Sequence, residues 1–398
     1  MKRTLLLFFI SPLLSFQHSY AQWAPQTAPS GTGNLYSVFA ISSSAVGASG
    51  FERVIRTING GTTWTSNLTI SGVSFYELHT AEPTHWYSLA LNSSWFVKMG
   101  NPTGITLQSG KPDSIFSLHF FTAPCGVAVG LNGKIESTCD TGITWQLRSS
   151  GVNSNLLGVW FADANTGCAV GGAGTIVRTT NAGSSWSTII SGTSQTLNGI
   201  CFPTPTIGYV VGNTGTVLKS TNAGLTWSPL NCGVTNSLNG VFFVDADTGY
   251  VVGTGGMIRK TKDGGATWSF NSSGTTQILN SVHFISPTVG WIVGNNGTIL
   301  KYTGISNGIS ENDINGGLSV YPNPAKDELH VAFQIQNSSV IDLEVLDITG
   351  RIAQVYKMGT FSKGDKDLSI DVSGLIQGIY FLRTLTSEGT FISRFTKE

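Results

Sequence analysis

A chain of 398 residues has room for two or three domains, and its 49 glycines with only 11% charged residues point to many tight turns around well-buried sheets rather than to disorder. Lys and Arg total 22 against 22 Asp and Glu, a balance that argues against a nucleic-acid partner. Beyond the N-terminus no apolar run approaches the roughly 18 residues of a membrane span, so no transmembrane segment is expected.

The first element reads as an export signal. Lys2 and Arg3 form a charged start, Leu5 to Leu14 a short apolar run, and Ser19-Tyr20-Ala21 places small residues where a peptidase needs them. Cleavage is expected between Ala21 and Gln22, which makes residues 1–21 a signal peptide. A short membrane anchor is the alternative, but Ser11 and Pro12 interrupt the run. Export permits disulfides. The five cysteines are Cys125, Cys139, Cys168, Cys201 and Cys232, an odd count that cannot pair fully within the chain. Cys125 and Cys139 flank one expected hairpin, where a bridge is one reading and small buried thiols the preferred one. No Cys-x-x-Cys or paired-His spacing argues for zinc, and no metal or cofactor is expected.

From residue 22 to 303 the chain is periodic. Trp145, Trp186, Trp227 and Trp268 stand 41 residues apart, and Trp64 lies 81 before Trp145. Gly31, Gly72, Gly110, Gly151, Gly192, Gly233 and Gly274 mark seven repeats, the second three residues short. In each, a β-branched and aromatic stretch such as residues 238–243 is followed by a second such as 249–253. A Gly-x-x-Gly turn such as Gly212 to Gly215 then leads to a third strand, and the Trp opens a fourth. Four short strands per repeat of about 41 residues is the pattern of propeller blades. The seventh repeat stops near Tyr302 without a Trp strand, while Trp23 stands eight residues before Gly31. The N-terminal strand is therefore expected to complete the last blade and close a seven-bladed all-β propeller. An open β-solenoid is the alternative.

Five repeats carry Ser/Thr-x-Asp/Asn-x-Gly-x-Thr/Ser-Trp. The acceptors are Asn59, Asp140, Asn181, Asn222 and Asp263, and the aromatic ends are Trp64, Trp145, Trp186, Trp227 and Trp268. Asn or Asp is expected to accept backbone N–H groups two or three residues on, and Gly to tolerate a positive φ. Asn performs no general acid–base chemistry and the boxes are spread around the array, so the role is structural. This motif resembles the Asp-box, or bacterial neuraminidase repeat, and the array of about 280 residues resembles photosystem II stability/assembly factor-like propellers. Similar repeats occur in sialidases and other glycoside hydrolases.

An active site is not visible. The sialidase-type Phe-Arg-Ile-Pro segment is absent from the sequence. The array holds ten acids, including Glu77, but no pair stands out as the two convergent carboxyls that glycoside hydrolysis needs. Asp163 and Asp245 occupy matching turn positions and read as caps. His79, His119 and His283 fall at one first-strand position where other repeats place Phe39, Trp160, Cys201 and Phe242. That position reads as inter-blade packing, with a metal or proton site as the sharper alternative. Arg56, Lys98, Arg178, Lys219, Lys260 and Lys301 recur at one third-strand position, with Ser137 in the third repeat. They form a candidate basic belt for contact with a partner, or side chains that lie over apolar strands with their heads in water.

Residues 304–317 are polar and Gly-rich, a linker. Residues 318–398 contain seven short strands, and Ile341 to Leu346 alternate cleanly, as in an antiparallel Ig-like sandwich. Residues 22–310 hold 12 basic and 10 acidic side chains, net +2, whereas residues 311–398 hold 8 and 12, net −4. Tyr321-Pro322-Asn323-Pro324, Asp347-Ile348-Thr349-Gly350-Arg351, Leu375 to Tyr380 and a basic end at Lys397 follow in order. This tail resembles the type A C-terminal sorting domain of type IX secretion, known from Bacteroidota. The resemblance implies passage across the outer membrane, with the type IX machinery as partner, and release or surface attachment of the product. The expected protein is a secreted or surface-attached monomer that binds an unknown extracellular protein or glycan without catalysis. A sialidase-like hydrolase, and an assembly factor by family resemblance, are the alternatives.

Overall fold

The computed structural model describes residues 23–82, 85–91, 95–100, 105–108, 114–302, 319–335, 337–348, 351–386 and 389–398. The signal segment with its Ala21–Gln22 cut and the linker 304–317 lie outside the described residues. The strands gather into two compact units, one within Ala21–Gly304 and one within Ile305–Glu398.

The first unit is all-β and propeller-like. A representative repeat pairs Leu197–Cys201, Gly208–Gly212, Thr216–Ser220 and Ser228–Asn231 in sequence order, all antiparallel. Every residue of Gly208–Gly212 is buried, because neighbouring sheets cover both faces of this strand. The turn after it needs two left-handed residues, Thr214 at φ 53° and Gly215 at φ 70°. A Cβ on Gly215 would lie 1.9 Å from the carbonyl oxygen of Val234, so glycine is required there.

The first strand of each repeat carries a bulge, as between Leu35 and Ser37, Phe75 and Glu77, or Leu197 and Gly199. The extra residue re-aims the side chains around it. It falls at 36, 76, 116, 157, 198, 239 and 280, and all seven of these residues line one cavity.

The ends of the array meet. Trp23–Gln26 pairs antiparallel with Ile299–Tyr302, with Trp23 opposite Tyr302, in a four-stranded sheet with Val289–Gly294 and Leu279–Ser286. Trp23 is fully buried, against Tyr250, Phe284 and Tyr302 at ring distances of 5.8, 5.7 and 5.1 Å. The first strands of the first and last repeats are bonded too. Asn280 Nδ2 donates to Leu35 O at 2.7 Å, and Val38 N donates to Ser281 Oγ at 3.3 Å.

Repeats one and two are joined in one sheet through two bends, where Val46–Thr57 turns at Glu52, φ 61°, and Thr65–Glu82 at Gly72, φ 75°. At the Gly72 bend the glycine N–H and the Ser71 hydroxyl donate to Glu52 Oε1 at 2.8 and 3.2 Å, which ties the two bends together. One expectation needs correction. Cys125 and Cys139 are bridged rather than separate thiols. Their neighbours Gly126 and Thr138 pair directly across an antiparallel ladder, which brings the two sulfurs together. Cys168, Cys201 and Cys232 are free and buried.

Among the described residues the second unit is a sandwich of seven strands. Ser319–Tyr321, Glu328–Ile335 and Gly364–Asp371 form one sheet, and Ile352–Phe361, Ser339–Leu346, Gly378–Thr386 and Gly389–Lys397 the other. Ile341, Leu343 and Val345 point into a core with Leu329, Val331 and Phe333, while Glu344 on the opposite face accepts from Arg383 Nε at 2.6 Å. In the first tail motif the Tyr321 ring stacks on His330 at 5.1 Å and its hydroxyl donates to Asp367. In the second, Asp347 and Arg351 close a turn through Asp347 N to Arg351 O at 2.9 Å. Thr349 and Gly350 lie outside the described residues.

Candidate functional site in the central cavity

The first strands of the repeats enclose a cavity of about 390 Å³. Its wall has three levels, each set by one position of the repeat. At the bulge position, Tyr36 and Tyr76 stack at 4.7 Å with their planes 9° apart, and Phe116 meets Tyr76 edge-on at 5.5 Å. On the other side the same position holds Asn198, Asn239 and Asn280. Each Asn side-chain nitrogen donates to the carbonyl of the next repeat: Leu238 O at 2.9 Å, Leu279 O at 3.0 Å and Leu35 O at 2.7 Å. That commitment fixes each amide's orientation and leaves its oxygen as the available acceptor.

One position further along, where other repeats carry Ser or Gly, stands Glu77. The hydroxyl of Ser37 donates to Glu77 Oε1 at 2.7 Å, and Ser117 supplies a second donor from the other flanking repeat. Ser37 and Ser117 themselves accept backbone N–H groups, from Leu78 at 3.2 Å and Val159 at 3.2 Å, so their protons are aimed at the carboxylate. Glu77 lines the cavity and is partly exposed. Burial pushes its carboxyl up to about 7, against the opposing pull of Ser37, the Leu78 N–H and Ser117.

The third level is a continuous aromatic band. Rings of Phe242, His283, Phe39, His79, His119 and Trp160 follow one another at 4.9, 4.3, 4.7, 4.5 and 4.7 Å. Burial holds the imidazoles neutral, lowering His79 to about 4 and His283 to about 3, and His119 well below its usual value. No group of three or more His, Cys, Asp or Glu arranged for a metal ion occurs among the described residues. Glu77 is the one charged residue lining the cavity among the described residues. Sequence alone counted it as one of ten unremarkable acids. Its departure from Ser or Gly at a bulged position was the available signal.

The box residues act as turn locks. Asp140 accepts Thr144 N at 2.8 Å and Thr138 Oγ1 at 2.8 Å, and Asn222 accepts Thr226 N at 2.9 Å and Ser220 Oγ at 3.0 Å. Asn59, Asn181 and Asp263 do the same with Thr63, Ser185 and Thr267. The bonded N–H lies four residues on, not two or three, because the intervening Gly bonds back to the preceding hydroxyl, as Gly142 N does to Thr138 Oγ1 at 3.0 Å. Asp and Asn are interchangeable because the partner hydroxyl turns round: Thr144 donates to Asp140 Oδ2, whereas Asn222 Nδ2 donates to Thr226. Trp145, Trp186, Trp227 and Trp268 donate their indole N–H to that Gly carbonyl at 3.1 Å. Trp64 is buried too, but its indole N–H makes no such bond. Asp163 and Asp245 cap turns, accepting Thr166 N at 2.7 Å and Thr248 N at 2.6 Å.

The basic belt faces inward along the array. Arg178 Nε donates to Ala223 O, Lys219 Nζ to Gly264 O and Lys301 Nζ to Gly60 O, each at 2.7 Å and each in the next repeat's box. Lys260, whose next repeat has no box, donates to Tyr302 OH at 3.1 Å. Lys98, Lys219, Lys260 and Lys301 also lie over the rings of Tyr87, Tyr209, Tyr250 and Trp291, their direct cross-strand partners. Arg56 is engaged as well. In the third repeat, Ser137 accepts Arg148 Nε at 2.9 Å. The head groups of Arg178, Lys219, Lys260 and Lys301 thus bond to the neighbouring repeat.

No curated protein sequence matches the chain. Among solved structures, YCF48 bound to D1 peptide has a TM-score of 0.61 at 17% identity, covering 72% of this chain and 96% of that one. YCF48 from Cyanidioschyzon merolae has a TM-score of 0.57 at 17% identity, covering 70% and 98%. A catalytically inactive virginiamycin B lyase from Staphylococcus aureus with quinupristin has a TM-score of 0.61 at 11% identity, covering 70% and 98%. At these identities the likeness is one of fold. The family model of the photosynthesis system II assembly factor YCF48 matches residues 179–269 and 234–303, and that of the secretion system C-terminal sorting domain matches residues 319–398. The chain thus joins YCF48-type propeller repeats to a C-terminal sorting domain of the type IX secretion system.

Proposed function

We propose that this protein is an exported, non-enzymatic binding module. In this reading seven repeats form a ring that the N-terminal strand closes, and the ligand, an extracellular protein or glycan, enters the central cavity. The observation that carries it is the isolation of Glu77. Glycoside hydrolysis by the common routes takes two carboxyls about 5–10 Å apart, and among the described residues no second acid lines this cavity. A stacked aromatic pair beside fixed acceptors suits recognition. The pairing of Trp23–Gln26 with Ile299–Tyr302 supports the closed ring. The sorting domain supports a secreted or surface-attached product and argues against a photosynthetic assembly role inside the cell. The D1 peptide held by one structural neighbour makes a peptide segment a reasonable ligand for this fold.

The test pairs a turnover screen on sialosides and plant and host glycans with binding measurements on the same glycans and on peptides. Saturable binding without product is expected. Hydrolysis that disappears in Glu77→Gln would establish the hydrolase reading instead.

A further inference from the structure

The cavity has a chemical polarity that its fold does not require. Its one charged group among the described residues is the Glu77 carboxylate, and amide oxygens stand with it as acceptors. The Asn198, Asn239 and Asn280 nitrogens donate to backbone carbonyls, and those of Asn198 and Asn280 also to Asn213 and Asn295, which leaves the three amide oxygens as acceptors. The Ser37 and Ser117 protons are spent on Glu77, whose carboxylate has no cationic partner among the described residues of the wall. Beside it, Tyr36, Tyr76 and Phe116 offer the electron-rich faces that attract cations. The buried histidines below stay neutral and add no competing positive charge.

We propose that the cavity binds an organic cation, a primary ammonium or guanidinium group, with Glu77 as counter-ion, the Asn198, Asn239 and Asn280 oxygens as hydrogen-bond acceptors and the Tyr36–Tyr76 pair as its flank. This deepens the binding reading and rests on it. A buried carboxylate without a cation is costly, and an ammonium or guanidinium with several N–H donors supplies both the missing charge and the missing donors. The cation can arrive on a small amine or on a Lys or Arg side chain of a peptide, and a cavity of about 390 Å³ has room for either head group. The titratable residues facing Glu77 across the cavity are Tyr36, Tyr76, His79, His119 and His283. None of them becomes cationic between pH 5 and 8, so over that range binding follows the ionisation of Glu77 and tightens as pH rises.

The experiment is calorimetric titration of the whole secreted chain with four probes: putrescine, Nα-acetyl-lysine amide, its Nε-acetylated neutral counterpart, and a Gly-Ser pentapeptide with one central Lys. The lysine amide is expected to bind and the neutral counterpart not. Glu77→Gln should weaken the cation about 10- to 100-fold, the range for a charge-assisted hydrogen bond. Glu77→Ser, which installs the residue found at Ser37, Ser117 and Ser281, should do the same in a chain that folds as the parent does. Tighter binding of the peptide than of putrescine assigns the cation to a protein partner, and the reverse to a free amine. Equal binding of the charged and neutral probes, or indifference to both Glu77 variants, would overturn the assignment. If no cation binds while a neutral glycan still binds in a Tyr76→Ala-sensitive way, the cation inference fails and the binding reading stands.

Discussion

Lys219 leaves its own repeat to donate to the carbonyl of Gly264 in the next, at 2.7 Å, and the hydroxyl of Tyr209 donates to the same oxygen at 2.9 Å. Its ammonium also lies 5.4 Å from the centre of the Tyr209 ring. One side chain thus joins the box turn of one repeat to the middle strand of another. Lys301 repeats the joint between the last repeat and the first, at Gly60.

Replacing Lys219 or Lys301 with Met keeps the apolar stem and removes the donor. Each substitution should destabilise the first unit by about 1–2 kcal/mol, the range for a charged hydrogen bond with a cation–π contribution. The denaturant midpoint of each variant checks this. An unchanged midpoint for both would mean that the belt is only solvated surface.

Trp23 should matter more than any box residue. It is fully buried among three aromatic rings, and its strand supplies the partner that Ile299–Tyr302 otherwise lacks. Trp23→Ala should cost about 3–5 kcal/mol, and deletion of Gln22 to Pro25 more, because the strand's ladder bonds go as well. Thermal melts of the two variants measure it, and a deletion variant that melts like the parent would contradict the closing role.

Two sets of buried groups make stability depend on pH with opposite sign. Glu77 is raised from 4.5 to about 7, so the native state holds its proton longer than the unfolded chain. Its contribution is full below pH 4.5 and is lost as pH rises through about 7, on the order of 2 kcal/mol after allowance for water in the cavity. His79 and His283 are lowered from 6.5 to about 4 and about 3. Their contribution is full above pH 6.5 and is lost on acidification towards those values. His79→Phe places the residue of Phe39 and Phe242 at the equivalent position and should flatten the acid limb, while Glu77→Gln should flatten the decline between pH 4.5 and 7. Urea titrations at a series of pH values report both slopes.

Reduction of Cys125–Cys139 opens a closed loop of 14-residue separation. A crosslink of that length stabilises by about 3 kcal/mol in the chain-entropy model. The Cys125→Ser/Cys139→Ser double variant should therefore show a clearly lower melting temperature, and an equal one would mean that the bridge adds nothing to stability.

Features that repeat locally were legible in the amino-acid sequence. The box Asn and Trp bond within eight residues of each other, so their spacing carried their role. The Ile341 to Leu346 alternation likewise carried the inward and outward faces of one sheet. The cavity was not legible, because it exists only once the repeats are stacked. Glu77 gains its character from burial and from Ser37 and Ser117, each about forty positions away, with the Leu78 N–H as the one contributor beside it in sequence. The belt shows the same limit: periodicity revealed one height for Lys219 and its equivalents, but not that the heads of Arg178, Lys219 and Lys301 reach a carbonyl one repeat further on.

The proposed activity is capture in the cavity without chemistry. Its most direct measurement is parallel capture and product analysis on a panel of glycans and Lys-bearing peptides, using the parent protein, Tyr76→Ala, Glu77→Gln and Lys219→Met. The expected result is capture that Tyr76→Ala abolishes, affinity per folded molecule that Lys219→Met leaves unchanged, and no released product. Product that accumulates with the parent and vanishes with Glu77→Gln, or capture indifferent to Tyr76→Ala, would contradict it.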